Sequence, residues 1–140
     1  SNQSFSKYGT IRGLHFQKAE AAQAKLVRAA SGRILDIAVD IRVNSPSFGK
    51  YFAVELNADN NLQLFIPSGF AHGFSVLSDT ATIIYECDKF YSPEHEAGIL
   101  FNDKELDIDW QIDISKALIS DKDLNNTMSF EAYKRNPCFF

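Results

Sequence analysis

The stretch ILDIAVDIR, residues 34 to 42, decides the fold class. Its side chains alternate with a period of two, and the apolar set is Leu35, Ile37, Val39 and Ile41. Between these lie Asp36, Ala38, Asp40 and Arg42. Such alternation is typical of a β-strand with one buried face and one polar face. The stretch therefore predicts a half-buried strand.

Short apolar runs separated by turn residues lie on both sides of this strand. The run AKLVRAA (24–30) is interpreted as its partner strand, with SGR (31–33) as the tight turn between them. Further runs are YFAVEL, LQLFIP, GFSVLS and TIIYEC, and the polar cluster NADNN separates the first two. No stretch before residue 110 has helical periodicity, whereas the polar tail after Ser115 is compatible with one or two helical turns. The pattern predicts a β-sandwich or barrel.

Composition excludes several classes of protein. The 140 residues are 45% hydrophobic, which suits one compact domain with a real core. The net charge is -4 and no basic stripe is present, so we expect no nucleic-acid surface, although two or three placed cations would suffice for a small anionic ligand. No signal peptide or long apolar span is present, so we expect a cytoplasmic protein without a membrane partner. Cys87, within TIIYEC, is interpreted as a small core residue.

The three histidines do not form a metal-binding pattern. His15, His72 and His95 each stand alone, in LHF, AHG and EHE. Metal-binding jelly rolls usually need two closely spaced histidines with further ligands nearby. The sequence therefore predicts no metal.

The segment GTIRGLHFQ (9–17) places Arg12 and His15 on one apolar strand. Residues three apart point to opposite faces of a regular strand. A shared pocket requires a bulge between them, which Gly13 would permit. The alternative is that His15 faces the interior with a hydrogen-bond partner while Arg12 lies in solvent.

Three further side chains are candidates for a pocket. His72, in the Pro- and Gly-framed IPSGFAHGF, is either a ligand contact beside apolar surface or a turn histidine bonded to a backbone carbonyl. Tyr85 shares parity with Ile83, so an inward phenol either donates a proton or only reaches a hydrogen-bond partner. Lys25 shares parity with Val27, and an inward lysine needs a carboxylate or an anionic ligand. A solvated edge lysine is the alternative.

Eight segments in order resemble one known family. They are GTIRGLHFQ, AQAKLV, GRILDIAVDIR, SPSFGKY, IPSGFAHGF, YSPEHE, IDW and SDKD. Their order is similar to that in the dTDP-4-dehydrorhamnose 3,5-epimerases, and the match runs from about Asn2 to Asp123. The resemblance implies a cupin-type jelly roll without metal or organic cofactor. It also implies a homodimer that inverts the two carbons beside the ketone of a dTDP-4-keto-6-deoxy sugar.

The family pattern also implies roles for individual residues. His15 matches the catalytic base, and Asp123 rather than Asp121 matches its orienting carboxylate. In the residues alone, Ser120 to Asp123 reads equally as a helix capping box. Tyr85 matches the acid and Lys25 the group that stabilises the enolate oxygen. The matching substrate contacts are Arg12, Asn2, His72, Tyr91, which stacks on thymine, Glu96 and Lys122.

The resemblance leaves some of the chain's properties open. Residues 1–140 are expected to form a single jelly-roll epimerase domain that lacks the N-terminal segment of the family. The family motif Gln-x-Asn-x-Ser appears only as Asn2 and Ser4. Alternatives are an epimerase that inverts C3 or C5 alone, a truncated non-catalytic sugar-nucleotide-binding cupin, and a metal-dependent cupin oxygenase.

Overall fold

The computed structural model describes residues 1–140 as ten β-strands and two short α-helices. The strands are β1 (Asn2–Lys7), β2 (Thr10–Gln17), β3 (Lys25–Ser31), β4 (Arg33–Asp40), β5 (Tyr51–Asn57), β6 (Leu64–Ile66), β7 (Phe70–Val76), β8 (Thr80–Cys87), β9 (Glu96–Gly98) and β10 (Leu118–Ile119). The helices are α1 (Asp121–Asn125) and α2 (Phe130–Arg135). Short 3-10 turns lie at Ala19–Ala21, Pro93–His95 and Ile114–Lys116. The expectation of a mostly β fold with a partly helical tail is confirmed.

The strands form two sheets. The first has the order β1-β8-β3-β6, and every neighbouring pair is antiparallel. The second has the order β10-β2-β7-β4-β5, with β9 pairing the C-terminal half of β2. Only the pairing of β10 with β2 is parallel. Because successive strands repeatedly change sheet, the chain has the wiring of a jelly roll, as expected.

The predicted pairing of β3 with β4 is wrong, although both strands exist. β3 pairs β8 and β6 in the first sheet, whereas β4 pairs β5 and β7 in the second. Gly32 carries the chain between the sheets with φ +73°, and a Cβ there would lie 2.1 Å from the Thr80 carbonyl oxygen. The short SGR turn was interpreted as a hairpin because hairpins and sheet-crossing corners use the same residue types.

Both faces of the second sheet are buried. One face packs against the first sheet through a cluster that includes Val27, Ile34, Leu56, Val76 and Ile83. The opposite face is covered by the C-terminal part of the chain, in a cluster that includes Leu14, Ile37, Ile99, Trp110 and Tyr133. The tail thus supplies a second layer of core that a simple two-sheet sandwich lacks.

Burial on both faces changes the interpretation of ILDIAVDIR. The alternation indicated one polar face, but Asp36 and Asp40 are both buried. They share parity with Ile34 and Ala38, which face the first sheet, while Leu35 and its alternates face the tail. A central strand covered on both sides has no solvent face, so its carboxylates must find partners inside. Asp40 finds them in Arg42 and neighbouring serines.

The C-terminal tail is anchored to the second sheet. The Val43 N–H donates to the Phe139 carbonyl oxygen, and the ring of Phe139 meets that of Phe16 at 6.2 Å in an edge contact. The Tyr133 hydroxyl donates to the Ile41 carbonyl oxygen at 2.5 Å. The apolar C-terminus therefore packs on its own chain. Neither helix has the length and apolar character needed to cross a bilayer.

Candidate active site

A cavity of about 730 Å³ opens between the two sheets. That volume lies within the range typical of small-molecule sites. Nine of the ten predicted site residues line it: Asn2, Arg12, His15, Lys25, His72, Tyr85, Tyr91, Glu96 and Lys122. The tenth, Asp123, lies behind His15. The structure therefore brings all ten together in one place.

An irregularity in β2 turns Arg12 and His15 toward the same cavity. The pairing of β2 with β7 shifts register between these two residues. Gly13 lies at the shift with φ +122°, and a Cβ there would lie 2.6 Å from the Cα of Gly73. Only glycine fits a left-handed backbone so close to a neighbouring strand. Of the two alternatives, the structure has the register shift that a shared pocket requires.

His15 forms a short hydrogen bond with a buried carboxylate. Its Nε2 lies 2.5 Å from Oδ1 of Asp123, whose other oxygen accepts the Gly13 N–H at 3.1 Å. Asp123 is 2% exposed. Burial alone would raise the pKa of Asp123, but its hydrogen bond and charge interaction with His15 hold that pKa below the usual value. The carboxylate thus stays ionised behind the imidazole.

Helix α1 positions this carboxylate. Ser120 is the N-cap, and its hydroxyl accepts the Asp123 N–H at 3.2 Å. The capping interpretation of SDKD is therefore half right, because the side chain of Asp123 turns to His15 instead of back to Ser120. Asp121 is exposed. The geometry selects Asp123 as the partner of His15.

Tyr85 and Lys25 lie on the facing wall, on adjacent strands of the first sheet. Tyr85 pairs with Val27 in the register of β8 and β3, and Lys25 pairs with Cys87. Burial raises the pKa of Tyr85, so its phenol keeps its proton at neutral pH. Burial lowers the pKa of Lys25, which forms no salt bridge in the structure although nearby acids partly oppose the shift.

Three residues form a charged cluster at the rim. The Tyr91 hydroxyl donates to Oε2 of Glu96 at 2.5 Å, and the Lys122 ammonium donates to the other oxygen. Lys122 also lies 5.9 Å from the centre of the Tyr91 ring. Burial alone would lower the pKa of Lys122, but Glu96 raises it above its usual value. The cluster fixes the position of an aromatic ring that remains exposed to solvent.

Asp36, which is the hydrogen-bond partner of His72, was not identified from the sequence. Nε2 of His72 lies 2.7 Å from Oδ1 of Asp36, and both residues are buried. Because His15 and His72 are register partners on β2 and β7, the two histidines stand side by side, each with its own aspartate. The one available signal was a carboxylate at the same parity as Ile34 and Ala38 in an apolar strand.

Cys87 is not the core residue that its apolar run indicated. It is partly exposed and lines the cavity opposite Lys25, and neither it nor Cys138 forms a disulfide. The run TIIYEC alternates between the cavity and the outer face, so Cys87 follows Tyr85 inward. The structure contains no group of three or more His, Cys, Asp or Glu side chains arranged to hold a metal ion.

Known proteins of one family resemble this chain along most of its length. A sequence profile described as dTDP-4-dehydrorhamnose 3,5-epimerase matches residues 1–131. The chain is 50% identical over 131 residues to the dTDP-4-dehydrorhamnose 3,5-epimerase of Shigella flexneri, covering 94% of this chain and 71% of that protein. It is 52% identical over 122 residues to that of Escherichia coli strain K12, covering 87% of this chain and 65% of that protein. The chain thus spans about two thirds of the length of these curated relatives.

Solved structures agree on the fold. The Elizabethkingia anophelis dTDP-4-dehydrorhamnose 3,5-epimerase is 51% identical with a TM-score of 0.91, covering 94% of this chain and 71% of that one. A Legionella pneumophila epimerase in complex with dTDP-4-keto-L-rhamnose is 43% identical with a TM-score of 0.86, covering 91% and 66%. A 3'-monoepimerase from Streptomyces bikiniensis in complex with dTDP-quinovose is 33% identical with a TM-score of 0.90, covering 99% and 69%.

Proposed function

The chain belongs to the dTDP-4-dehydrorhamnose 3,5-epimerase family, and from that premise we propose that it converts dTDP-4-keto-6-deoxyglucose to dTDP-4-keto-L-rhamnose, on the route to dTDP-L-rhamnose. The observation that carries the proposal is the His15–Asp123 pair on one wall of a cavity whose facing wall holds Tyr85. Inverting a carbon requires a base on one side and an acid on the other. We propose residues 1–140 as one jelly-roll domain that contains both.

The base is His15. Hydrogens on C3 and C5 are acidic because the carbanion left behind delocalises onto the C4 oxygen as an enolate. His15 takes one such hydrogen as a proton, and the ionised Asp123 stabilises the resulting imidazolium. The same residue serves both carbons when the sugar ring turns within the cavity.

The acid is Tyr85. Its phenol donates a proton to the opposite face of the same carbon, which reforms the ketone with inverted configuration. The proton on His15 then leaves to solvent, and solvent reprotonates the phenolate. The raised pKa of Tyr85 keeps the group protonated before each turnover. No net proton is gained or lost in the cycle.

Lys25 stabilises the enolate oxygen. Its ammonium group lies in a partly buried position with no carboxylate bonded to it, so it is available to a developing negative charge. A fixed cation is worth far more in such a site than in water. Side chains carry every charge and proton of this scheme, so the proposal includes no cofactor.

The remaining lining residues hold the nucleotide and sugar. Arg12 and Lys122 supply donors for the diphosphate, and His72 contacts the sugar. Tyr91 offers its exposed ring to thymine, held from behind by its hydrogen bond to Glu96. Asn2, the register partner of Tyr85, lies at the edge of the same cavity.

The proposal includes a cytoplasmic homodimer. The outer face of the first sheet exposes aromatic rings, with Phe5 61% and Phe65 62% exposed. Leu26 and Ile84 lie on the same face between them. Exposed apolar surface of this kind on an antiparallel sheet favours a second copy of the chain as its cover. Light scattering after size-exclusion chromatography tests this, since Phe65→Glu should shift a dimer toward the monomer mass.

One other activity is supported by a specific observation. The likeness to the Streptomyces bikiniensis 3'-monoepimerase extends over 99% of this chain. An enzyme that inverts a single carbon needs the same base and acid, so the geometry of the side chains serves either reaction. A non-catalytic binding module is the third outcome.

The deciding experiment is proton NMR of dTDP-4-keto-6-deoxyglucose in deuterium oxide with the full chain. The expected result is loss of signal at both C3 and C5. His15→Asn should abolish the loss, whereas His95→Asn should retain it, because His95 bonds Ser92 outside the cavity.

Each outcome has one meaning. Exchange at one carbon replaces the proposal with a single-carbon epimerase. Binding without exchange in the unaltered chain identifies a non-catalytic module. Equal exchange by His15→Asn and the unaltered chain refutes the assignment of the base.

A further inference from the structure

The second histidine–aspartate pair, His72 with Asp36, has no part in the proton transfers described above. Asp36 is fully buried and does not line the cavity, whereas His72 does. Oδ1 of Asp36 meets Nε2 of His72 at 2.7 Å, but its Oδ2 is buried without any hydrogen-bond partner. A buried carboxylate oxygen that bonds nothing is rare in folded proteins and calls for an explanation.

The orientation of His72 follows from its partner. A carboxylate only accepts hydrogen bonds, so Nε2 of His72 is the nitrogen that donates to Asp36. Nδ1 forms no hydrogen bond within the chain, and it is the nitrogen left for a ligand in the cavity. In this tautomer Nδ1 carries no hydrogen, so it is open to accept one from a hydroxyl of a bound sugar.

The carboxylate of Asp36 also acts on a second cavity residue, Lys25. The negative charge of Asp36 is among the influences that raise the pKa of Lys25 against its desolvation. Lys25 and His72 both line the cavity, on the first and second sheets respectively, and Asp36 acts on each of them. The strands that carry these two residues, β3 and β7, belong to different sheets, so no backbone pairing links them.

We propose that Asp36 is a positioning residue for the bound sugar: it accepts the Nε2 hydrogen of His72, which leaves Nδ1 to accept from a sugar hydroxyl, and its carboxylate supports the ammonium of Lys25, which donates to the enolate oxygen. This rests on the proposed epimerase reaction. Asp36 does not line the cavity and acts only through these two side chains.

The test compares Asp36→Asn with Asp40→Asn. Both residues lie on β4, share parity and are buried, but Asp40 bonds Arg42 and two serines away from the cavity lining. Asp36→Asn should lower kcat by about tenfold to a hundredfold with KM nearly unchanged, less than the 10²–10³ that deleting an oxyanion donor costs. Asp40→Asn should lower the melting temperature and leave kcat at the level of the unaltered chain.

The pH profile gives a result that loss of packing does not imitate. Lys25 is faced by Cys87 from β8, Asp36 from β4, Glu96 from β9 and Lys122 from α1. Removing the charge of Asp36 lowers the pKa of Lys25 further, so the alkaline limb of kcat should move to lower pH. Repeating the profile in a Cys87→Ser background separates the titration of the thiol from that of the amine.

A double variant tests whether Asp36 acts through His72. In a His72→Gln background, the further change Asp36→Asn should cost clearly less in kcat than it does alone, because the ring it orients is already gone. Equal losses in both backgrounds would show that Asp36 acts independently of His72 and would overturn the proposal.

Nitrogen-15 NMR of the imidazoles makes the test independent of turnover. The signal absent from His72→Gln identifies the ring, which in the unaltered chain should carry its hydrogen on Nε2 when neutral. A hydrogen on Nδ1 would overturn the proposal, as would a folded Asp36→Asn with unaltered kcat and pH profile. If the unaltered chain shows no exchange at all, the epimerase proposal fails while the orientation of His72 is still decided by this spectrum.

Discussion

Replacing Asp123 with asparagine should slow proton abstraction by about three orders of magnitude. Asparagine has nearly the same shape as aspartate and retains an oxygen that accepts from Gly13 or His15, so the change removes the charge more than the packing. The lost quantity is the attraction between the carboxylate and the imidazolium that forms when His15 takes a proton.

The distance between the two groups sets the magnitude. With Nε2 and Oδ1 2.5 Å apart, the two charge centres lie about 4 Å apart, which gives about 4 kcal/mol at an effective dielectric constant of about 20. Each 1.36 kcal/mol on a barrier is a factor of ten. The expected loss is therefore about 10³ in the rate of exchange, within the range for a positioned acid–base group.

The assay is the initial rate of deuterium incorporation at C3 and C5 under saturating substrate. Asp121→Asn is the matched control, since Asp121 lies on the same helix but is exposed, and it should exchange at the normal rate. Circular dichroism confirms that both variants are folded. Exchange by folded Asp123→Asn within tenfold of the unaltered chain would refute the electrostatic argument.

Tyr85→Phe should still incorporate deuterium, because His15 returns deuterons to the face from which it took protons. Formation of the inverted product should fall by about 10²–10³. Chiral analysis of the sugar product checks this, and equal losses of exchange and inversion would contradict it. Lys25→Met should lower kcat by about 10²–10³. In the unaltered chain, kcat should fall as the pH rises through the pKa of Lys25, which burial lowers from its usual value, because only the ammonium form stabilises the enolate. A flat alkaline profile would count against this role. Gly13→Ala should lower the free energy of unfolding by about 1–3 kcal/mol or more. Its φ is +122°, and an added Cβ would lie 2.6 Å from the Cα of Gly73, so the backbone would have to move. Urea denaturation measures the loss, and an unchanged midpoint would refute the steric reason.

Local pattern predicted the strands better than their partners. The period of two in β4 identified that strand from nine residues. Its neighbours β5 and β7 were not identifiable in this way, because pairing is fixed by contacts distant in the chain and by the sheet change at Gly32. Turn residues mark where the chain changes direction and do not say into which sheet it turns.

The site residues also differ in how far local sequence predicts them. Arg12, His15, Lys25 and Tyr85 carry signals in their own segments, through spacing or parity. The pairing of His15 with Asp123 spans 108 residues, and only family spacing indicated it. Asp36 was missed because the first sheet buries its face of β4, and the local pattern does not say which strands pack over that face.

Helix α1, which carries Asp123, has only five residues. A helix of that length has no stability of its own, and it is held by β10 alongside β2 and by the Met128 N–H bonded to the Gly98 carbonyl oxygen. During synthesis, β1 to β9 leave the ribosome before α1 does, so His15 acquires its charged partner after the strands that form the cavity. Proteolytic cleavage between residues 111 and 117 would cut the covalent link between Asp123 and the nine strands β1 to β9 without breaking any of those strands.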